Sequence, residues 1–464
     1  MLISSIKPKG LYNGYLVNTS FKHKNNVEQN KDQNKDYSKY FTGALGVSAI
    51  GLGVIIWNRK NITKTQNIIE HAVTETDKKF LNNILKSLKK SGIDAKIEDL
   101  KSIVAPDEFK TLIKKFKPEH FRVGMQVSEA KAQNIPLEEF YKNTINGDFR
   151  VSLHTHSNFS DGKATVEEFL ESARKYADKV AKLNKNDGLP PFTIALTDHD
   201  GVKGCQEIIK IIAKNPEKYK NLKFVSGCEF SVINGSKHHD ITGLALNPFE
   251  EDLNKVLDNL ANTRKNTIIE FLEKQPEYNG KKITYSDVAE FEKQRYIEQG
   301  KAGKRCIENC SGLVSVRHAI KFYYEMTEQS VNHDVMNKLG DKDILPVETV
   351  MNAIKNNGGQ ASLTHPTKSF WKYIGDDFLS NLKNMGVDGI EVNHQYTPSK
   401  ITKLGKQNNN INNADNLFEE ITAQYKNFAE KNGMFLSGGT DSHEKQIFSR
   451  KPKITNEILE KIYN

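Results

Sequence analysis

Cysteine is scarce in this chain: four residues, Cys205, Cys228, Cys306 and Cys310, among 464, with no C-x-x-C pair. That excludes a disulfide-stapled scaffold, which needs dense cysteine in a short chain, and favours a reducing compartment. Cys306 and Cys310, four apart in a Lys-rich stretch, read as reduced thiols, with a metal pair as the alternative. The G-x-x-x-x-G-K-[ST] loop and the G-x-G-x-x-G turn are both missing, so neither ATP nor dinucleotide chemistry is indicated. A G-x-S-x-G nucleophile elbow is missing too. Neither sign of charge dominates. Lys and Arg number 67 against 58 Asp and Glu, for a net charge of +9, and the lysines are scattered. A solvated surface with a mild attraction for anions is expected, and stable binding of duplex nucleic acid is not.

Long apolar runs are absent with one exception. Residues 40–57 carry no charge over 18 positions, with Tyr40 and Phe41 at one end and Trp57 at the other. That length and those aromatic ends suit a single membrane-spanning helix. Small residues four apart, Ala44 with Ser48 and Ala49 with Gly53, agree with it. The alternative is a Gly-rich helix buried in a soluble fold. Lys31, Lys35 and Lys39 on one side balance Arg59, Lys60 and Lys64 on the other, so charge does not orient the segment. Residues 1–39, rich in Asn, Lys and Asp, read as a disordered polar arm. Residues 61–146 carry apolar positions at helical spacing, among them Phe80, Leu81, Ile84 and Leu85, and read as a helical linker or subdomain.

From residue 148 the pattern changes to an α/β alternation. Seven short apolar runs, at 149–154, 192–197, 222–228, 241–246, 360–364, 389–393 and 434–437, read as strands with helices between several of them. The residues at the ends of these runs carry the chemistry. The first run delivers His154 and His156, which share one face of a strand. Asp161 returns on the turn behind them. The second run ends in Asp198, His199 and Asp200, the third in Glu229, the fifth in His365, the sixth in His394, and the seventh leads to Asp441 and His443. Ligand-type residues at the carboxyl ends of so many strands point to a metal site on the rim of a barrel. Before the fourth run, Asn234-Gly235 reads as a two-residue hairpin turn. It would set Asp240 opposite Glu229 on the inner face. A three-residue loop would turn His239 inward instead.

The ordered set L-H-T-H-S-N-F-S-D-G, A-L-T-D-H-D, G-C-E-F-S, L-T-H-P and G-G-T-D-S-H resembles the PHP (polymerase and histidinol phosphatase) family, and within it the stand-alone phosphoesterases acting on nucleotides and short RNA. The resemblance covers roughly 148–246 and 345–445. It implies an α/β fold, a distorted (β/α)7 barrel in two parts, 148–246 and 346–464, with a helical cap insertion at 247–345. It implies two or three divalent metal ions, Mn first and Zn or Fe as alternatives, held by His154, His156, Asp161, His199, Glu229, His365, Asp441 and His443. Asp240 stands where the family usually has a histidine, and His239 remains its alternative. The cap's basic residues imply substrate contacts from Arg264 and Arg317. His318 or His394 is positioned to act as the acid on the leaving oxygen. The activity implied is hydrolysis of phosphomonoesters of nucleotides, or of the ends of short oligonucleotides as an exonuclease, by a metal-activated hydroxide. A histidinol-phosphatase-like enzyme and a non-catalytic membrane-tethered metal-binding module are the alternatives. With a nucleotide substrate and free thiols, the barrel is expected on the cytoplasmic side.

Overall fold

Parallel pairing of β1 (Val151–Ser152) with β2 (Phe192–Leu196), and of β2 with β3 (Leu222–Asn234), begins the sheet. A computed structural model describes residues 73–121, 149–183, 187–298, 315–394, 398–409 and 413–444. All of these lie in one compact unit, Ala72–Asn464. The run at 40–57 and the pair Cys306 and Cys310 lie outside the described residues. Among the described residues no helix is long and apolar enough to cross a membrane.

β3 is long enough to serve two neighbours. Its first half pairs with β2, and its second half forms an antiparallel hairpin with β4 (Lys237–Leu244). β5 (Leu345–Pro346) adds to the outer end of β3. β4 then pairs antiparallel with β6 (Gln360–Leu363), and β6, β7 (Gly389–His394) and β8 (Phe435–Gly439) continue in parallel. The sheet comes close to closing on itself. Beyond β1 the chain bonds to β8, with the Leu153 amide donating to Gly438 O (2.9 Å), Asp441 to His154 O (2.9 Å) and His156 to Ser442 O (3.0 Å). Gly439 makes this seam feasible, because a Cβ there would sit 2.5 Å from the His154 nitrogen. The result is a mixed α/β, barrel-like sheet. It differs from a plain seven-strand alternation by the antiparallel hairpin and the extra strand β5.

The helices, in chain order, are α1 (Glu75–Lys90), α2 (Pro106–Ile113), α3 (Val166–Ala181), α4 (Lys203–Lys214), α5 (Glu251–Glu273), α6 (Tyr285–Glu298), α7 (Val316–Met326), α8 (His333–Gly340), α9 (Val347–Asn356), α10 (Pro366–Phe370), α11 (Asp376–Met385), α12 (Pro398–Gln407) and α13 (Ala414–Lys431). Local chemistry fixes several of their ends. Thr165 and Glu168 form a reciprocal capping box at the start of α3. Gly358, at φ 81°, ends α9 in the left-handed conformation that a glycine adopts without strain. α3 and α4 bury Val166, Phe169, Leu170, Ile208, Ile209 and Ile212 against Phe149, Phe192 and Phe224 of the sheet. Each of those three phenylalanines is fully buried and contributes roughly 1.5–3 kcal/mol relative to exposure.

The segment before the barrel packs into it where it is described. The strip at Ser102–Val104 bonds along the free edge of β3, Phe224 N donating to Ser102 O and Val104 N to Phe224 O. Phe109, Leu112 and Ile113 of α2 join Val151, Leu153, Ala195, Val225 and Leu244 in one apolar cluster. A separate small core, from Ile268, Phe271, Leu272, Val288, Val316, Ala319, Ile320 and Tyr323, holds the inserted helices α5, α6 and α7 together.

Candidate metal centre

The turn at 157–162 is fixed by a carboxylate from the neighbouring strand. The Ser157 amide, the Ser157 hydroxyl and the Ser160 hydroxyl each donate to Asp198 at 2.7 Å. That anchors Asp161 over His156. Pairing of His199 with Glu229 extends β2 and β3 by one bridge and brings those two side chains together. His365 and Asp441 take left-handed backbone angles, φ 27° and 47°, as does Asp200 at 46°. Non-glycine residues held there carry strain of order 1–3 kcal/mol, which functional sites commonly retain.

Glu229 is the hub. Its Oε2 lies 3.1 Å from His154 Nε2, 3.2 Å from His156 Nε2 and 3.2 Å from His199 Nδ1, and its Oε1 lies 3.2 Å from His365 Nε2. Asp441 Oδ1 is 3.4 Å from His156 Nε2 and 3.7 Å from His154 Nε2. Asp161 Oδ1 is 3.0 Å from His443 Nε2. Three overlapping sets result: His156, Asp161, His199 and His443; His154, Glu229 and His365; and His154, His156 and Asp441.

The donor chemistry suits divalent cations better than a hydrogen-bonded core. The Nε2 atoms of His154 and His156 face each other at 3.1 Å. Two ligands of one tetrahedral ion, with bonds of about 2.0–2.1 Å, stand roughly 3.3 Å apart. Glu229 Oε1 and Asp161 Oδ1 are buried with no hydrogen bond aligned on them, although imidazole nitrogens are adjacent. Negative charge is in excess as well. Burial alone would raise the Glu229, Asp441 and Glu391 carboxyls. The neighbouring imidazoles, and Lys368 beside Asp441, instead hold all three well below the usual range. Burial would likewise lower His154, but Glu229, Glu391 and Asp441 raise it well above its ordinary value. A donor set with this charge suits a divalent cation.

The structure brings together eight of the nine residues read as metal ligands: His154, His156, Asp161, His199, Glu229, His365, Asp441 and His443. Asp240 joins none of the three sets, and neither does His239. The reason is the hairpin turn, which lies one residue later than its Asn-Gly signature implies. The two loop residues are Gly235, at φ 61°, and Ser236, while Asn234 still pairs with Lys237. The register therefore moves by two, putting Thr242 opposite Glu229 and Asp240 opposite Ser231. Parity is kept, so Asp240 stays on the Glu229 side, where burial and then the Glu229 charge raise its carboxyl. His239 faces the other way, against the rings of Phe378 (5.5 Å) and Phe370 (6.1 Å).

A cleft of about 300 Å³ opens beside the cluster. Asp161, His199 and Asp200 line it from the barrel, Arg264, Arg317 and His318 from the insertion. Arg317 stands half-exposed, its Nη2 3.4 Å from His238 Nδ1 and 3.9 Å from Asp341 Oδ1. Arg264, which also lines the cleft, is held by the protein's own acceptors. It is 4% exposed, and its guanidinium donates to Asp200 Oδ2 (2.7 Å) and to the Asp343 carbonyl. His394 is buried away from this lining, its Nδ1 3.3 Å from Glu391 Oε1 and its Nε2 4.0 Å from Asp441 Oδ2.

Two residues of the centre are not evident from the sequence. Glu391 lies 3.1 Å from His154 Nδ1 and accepts from the His365 amide at 2.9 Å. Simple alternation along β7 puts Glu391 and His394 on opposite faces. A bulge between Glu391 and Asn393 reverses that parity. Lys368, in the first turn after His365-Pro366, places its ammonium 3.3 Å from both His365 Nε2 and Asp441 Oδ2. Its only sequence signal is its spacing three residues after His365.

A stretch of 103 residues is 32% identical to a 3',5'-nucleoside bisphosphate phosphatase of Chromobacterium violaceum. The match, the motif order and the ligand geometry together support a PHP-type phosphoesterase. The matched stretch is 22% of this chain and 30% of the length of its relative. No family model matches the sequence. Among solved structures, a protein assigned as a metal-dependent phosphoesterase from Bifidobacterium adolescentis aligns over 67% of this chain and 94% of its own, at 19% identity and a TM-score of 0.38. An amidohydrolase from Chromobacterium violaceum, with bound sulfate and no metal, aligns over 67% and 96%, at 19% identity and a TM-score of 0.37. Likeness at that level says nothing about chemistry.

Proposed function

We propose that this chain is a PHP-type metal-dependent phosphoesterase that hydrolyses phosphomonoesters of nucleotides or of the ends of short oligonucleotides. The observation that carries the reading is a carboxylate-bridged His/Asp/Glu cluster opening onto a cleft whose far wall holds Arg317 and His318. The eight clustered side chains, five imidazoles and three carboxylates, would hold two or three divalent ions, Mn first with Zn or Fe as alternatives. Divalent ions in such a site supply an acidified water and take up charge from phosphoryl oxygens. The chain's own groups do the rest. Arg317 binds and orients the phosphate opposite the cluster. His318, on the first turn of α7 and facing the cleft, holds the proton that its imidazole N–H delivers to the leaving oxygen. Lys368 balances the charge of Asp441. The cleft volume suits a nucleotide-sized ligand and not a duplex. The bisphosphate phosphatase similarity supports the nucleotide class.

A panel of phosphate esters with Mn supplied tests this: nucleoside monophosphates and bisphosphates, dinucleotides and histidinol phosphate. Phosphate release from nucleotides is the expected result, and intact esters from metal-loaded protein would remove the enzymatic reading. His156→Ala and Asp441→Ala are expected to lose both bound metal and turnover. For the uncharged run at 40–57 we propose a membrane anchor with the barrel on the cytoplasmic side, supported by its length and aromatic ends. Full-length protein should then fractionate with membranes, and a chain starting near Asn61 should not.

A further inference from the structure

Arg264 sits between two parts of the molecule that must be in register for the proposed chemistry. On one side its guanidinium is 2.7 Å from Asp200 Oδ2. Asp200 follows His199 directly and is held by three further features. Its backbone is left-handed (φ 46°), its amide donates to Glu229 O (2.9 Å), and its Oδ1 accepts from the Ser231 amide (3.0 Å). On the other side Arg264 Nε donates to the Asp343 carbonyl (2.9 Å). The Asp343 carboxylate in turn accepts from the amides of Val316 (2.7 Å) and Arg317 (3.3 Å), the first two residues of α7. Arg264, Asp200 and Asp343 are 4%, 2% and 7% exposed, so water competes little for these bonds. A planar fork is the one side chain that can serve both partners at once.

We propose that Arg264 is a positioning residue that seats the inserted helices on the barrel, holding the His199 turn through Asp200 and the Arg317–His318 turn through Asp343. In this role it sets the distance between the phosphate-binding arginine and the cation cluster without touching the substrate. The kinetic part of the proposal rests on the phosphoesterase reading, while the structural part does not.

Amide hydrogen exchange of the full-length protein, read by mass spectrometry without substrate, tests the coupling. In Arg264→Gln, exchange at 198–201 and at 315–318 is expected to rise together by tenfold or more. KM for the nucleotide hydrolysed is expected to rise by on the order of tenfold or more. Impaired kinetics with wild-type exchange in both segments would show that Arg264 contacts substrate directly, and would overturn the proposal. In Arg264→Gln, which removes both contacts, faster exchange in one segment alone would overturn the coupling. Should Arg264→Gln lose its cooperative thermal transition, Arg264→Lys carries the test. A lysine keeps a charge opposite Asp200 but lacks the fork, so exchange is expected to rise at 315–318 while 198–201 stays protected. Wild-type exchange at both segments in that variant would again sink the idea. Because exchange needs no turnover, a failure of the phosphoesterase reading is separable from a failure of this one.

Discussion

Glu391 shows how a single carboxylate outside the ligand sets can tune them. It lies beside His154 Nδ1, so a proton on that nitrogen leaves Nε2 free to face Glu229 and His156. Partners of this kind orient a ligating histidine and raise its basicity. Glu391→Gln keeps the shape but removes the charge. Metal affinity, measured by competition with a chelating dye, is expected to fall about 10–100-fold, and an unchanged affinity would deny Glu391 the role. His239 offers a second test at this scale. Burial among aromatic rings lowers its imidazole from the ordinary 6.5 to about 4. The unfolded chain therefore takes up the proton first as pH falls. The cost is absent above about pH 6.5, grows between 6.5 and 4, and reaches on the order of 3 kcal/mol below that. In urea denaturation, His239→Leu is expected to flatten the loss of stability across this window relative to wild type. Parallel curves for the two proteins would contradict the burial argument.

Among the elements, the seam between β1 and β8 is the most demanding. β1 is only two residues long; from Leu153 on the chain also bonds to β8 and the turn after it, while Thr155 still bonds to Thr197 at the end of β2. The histidine that opens the ligand set is thus also a barrel-closing residue. Gly439→Ala puts a methyl group against the His154 backbone. Such overpacking costs about 1–3 kcal/mol, and here it also displaces a ligand. Both the thermal midpoint and the bound metal are expected to fall, and an alanine variant with wild-type metal content would show that the seam yields elsewhere. The β3–β4 hairpin is demanding in another way. Its two-residue Gly235-Ser236 loop preserves the inward face of the strand while shifting register by two, enough to leave Asp240 outside the ligand sets.

At the scale of the molecule, binding and folding are linked. The buried cluster holds Asp161, Glu229 and Asp441 with depressed carboxyls, so ions that bind only the folded chain stabilise it. A divalent ion at 100 times its dissociation constant adds about 2.7 kcal/mol. Chelation should therefore lower the melting temperature of the purified protein, and Mn should restore it. Asp441→Ala should show a much smaller response. A melting temperature indifferent to chelator and metal in wild type would contradict a cation site at this cluster. The inserted helices carry their own small core, so their seating on the barrel depends on links such as Arg264–Asp200.

Much of this was legible in the chain. The donors His154, His156, His199, Glu229, His365, Asp441 and His443 stand at strand ends, and a strand end can be read from local apolar runs. The helix ends at Thr165 and Gly358 obey equally local rules. The tertiary structure alone decided what depends on pairing offsets and burial. A bulge in β7 just after Glu391 brought His394 to the same side as that carboxylate. A two-residue shift in the β3–β4 register set the place of Asp240. Two buried acids, distant in sequence, claimed the guanidinium of Arg264. Residue identity supplies the donors, but an offset between strands decides which of them meet, and no local pattern encodes that offset.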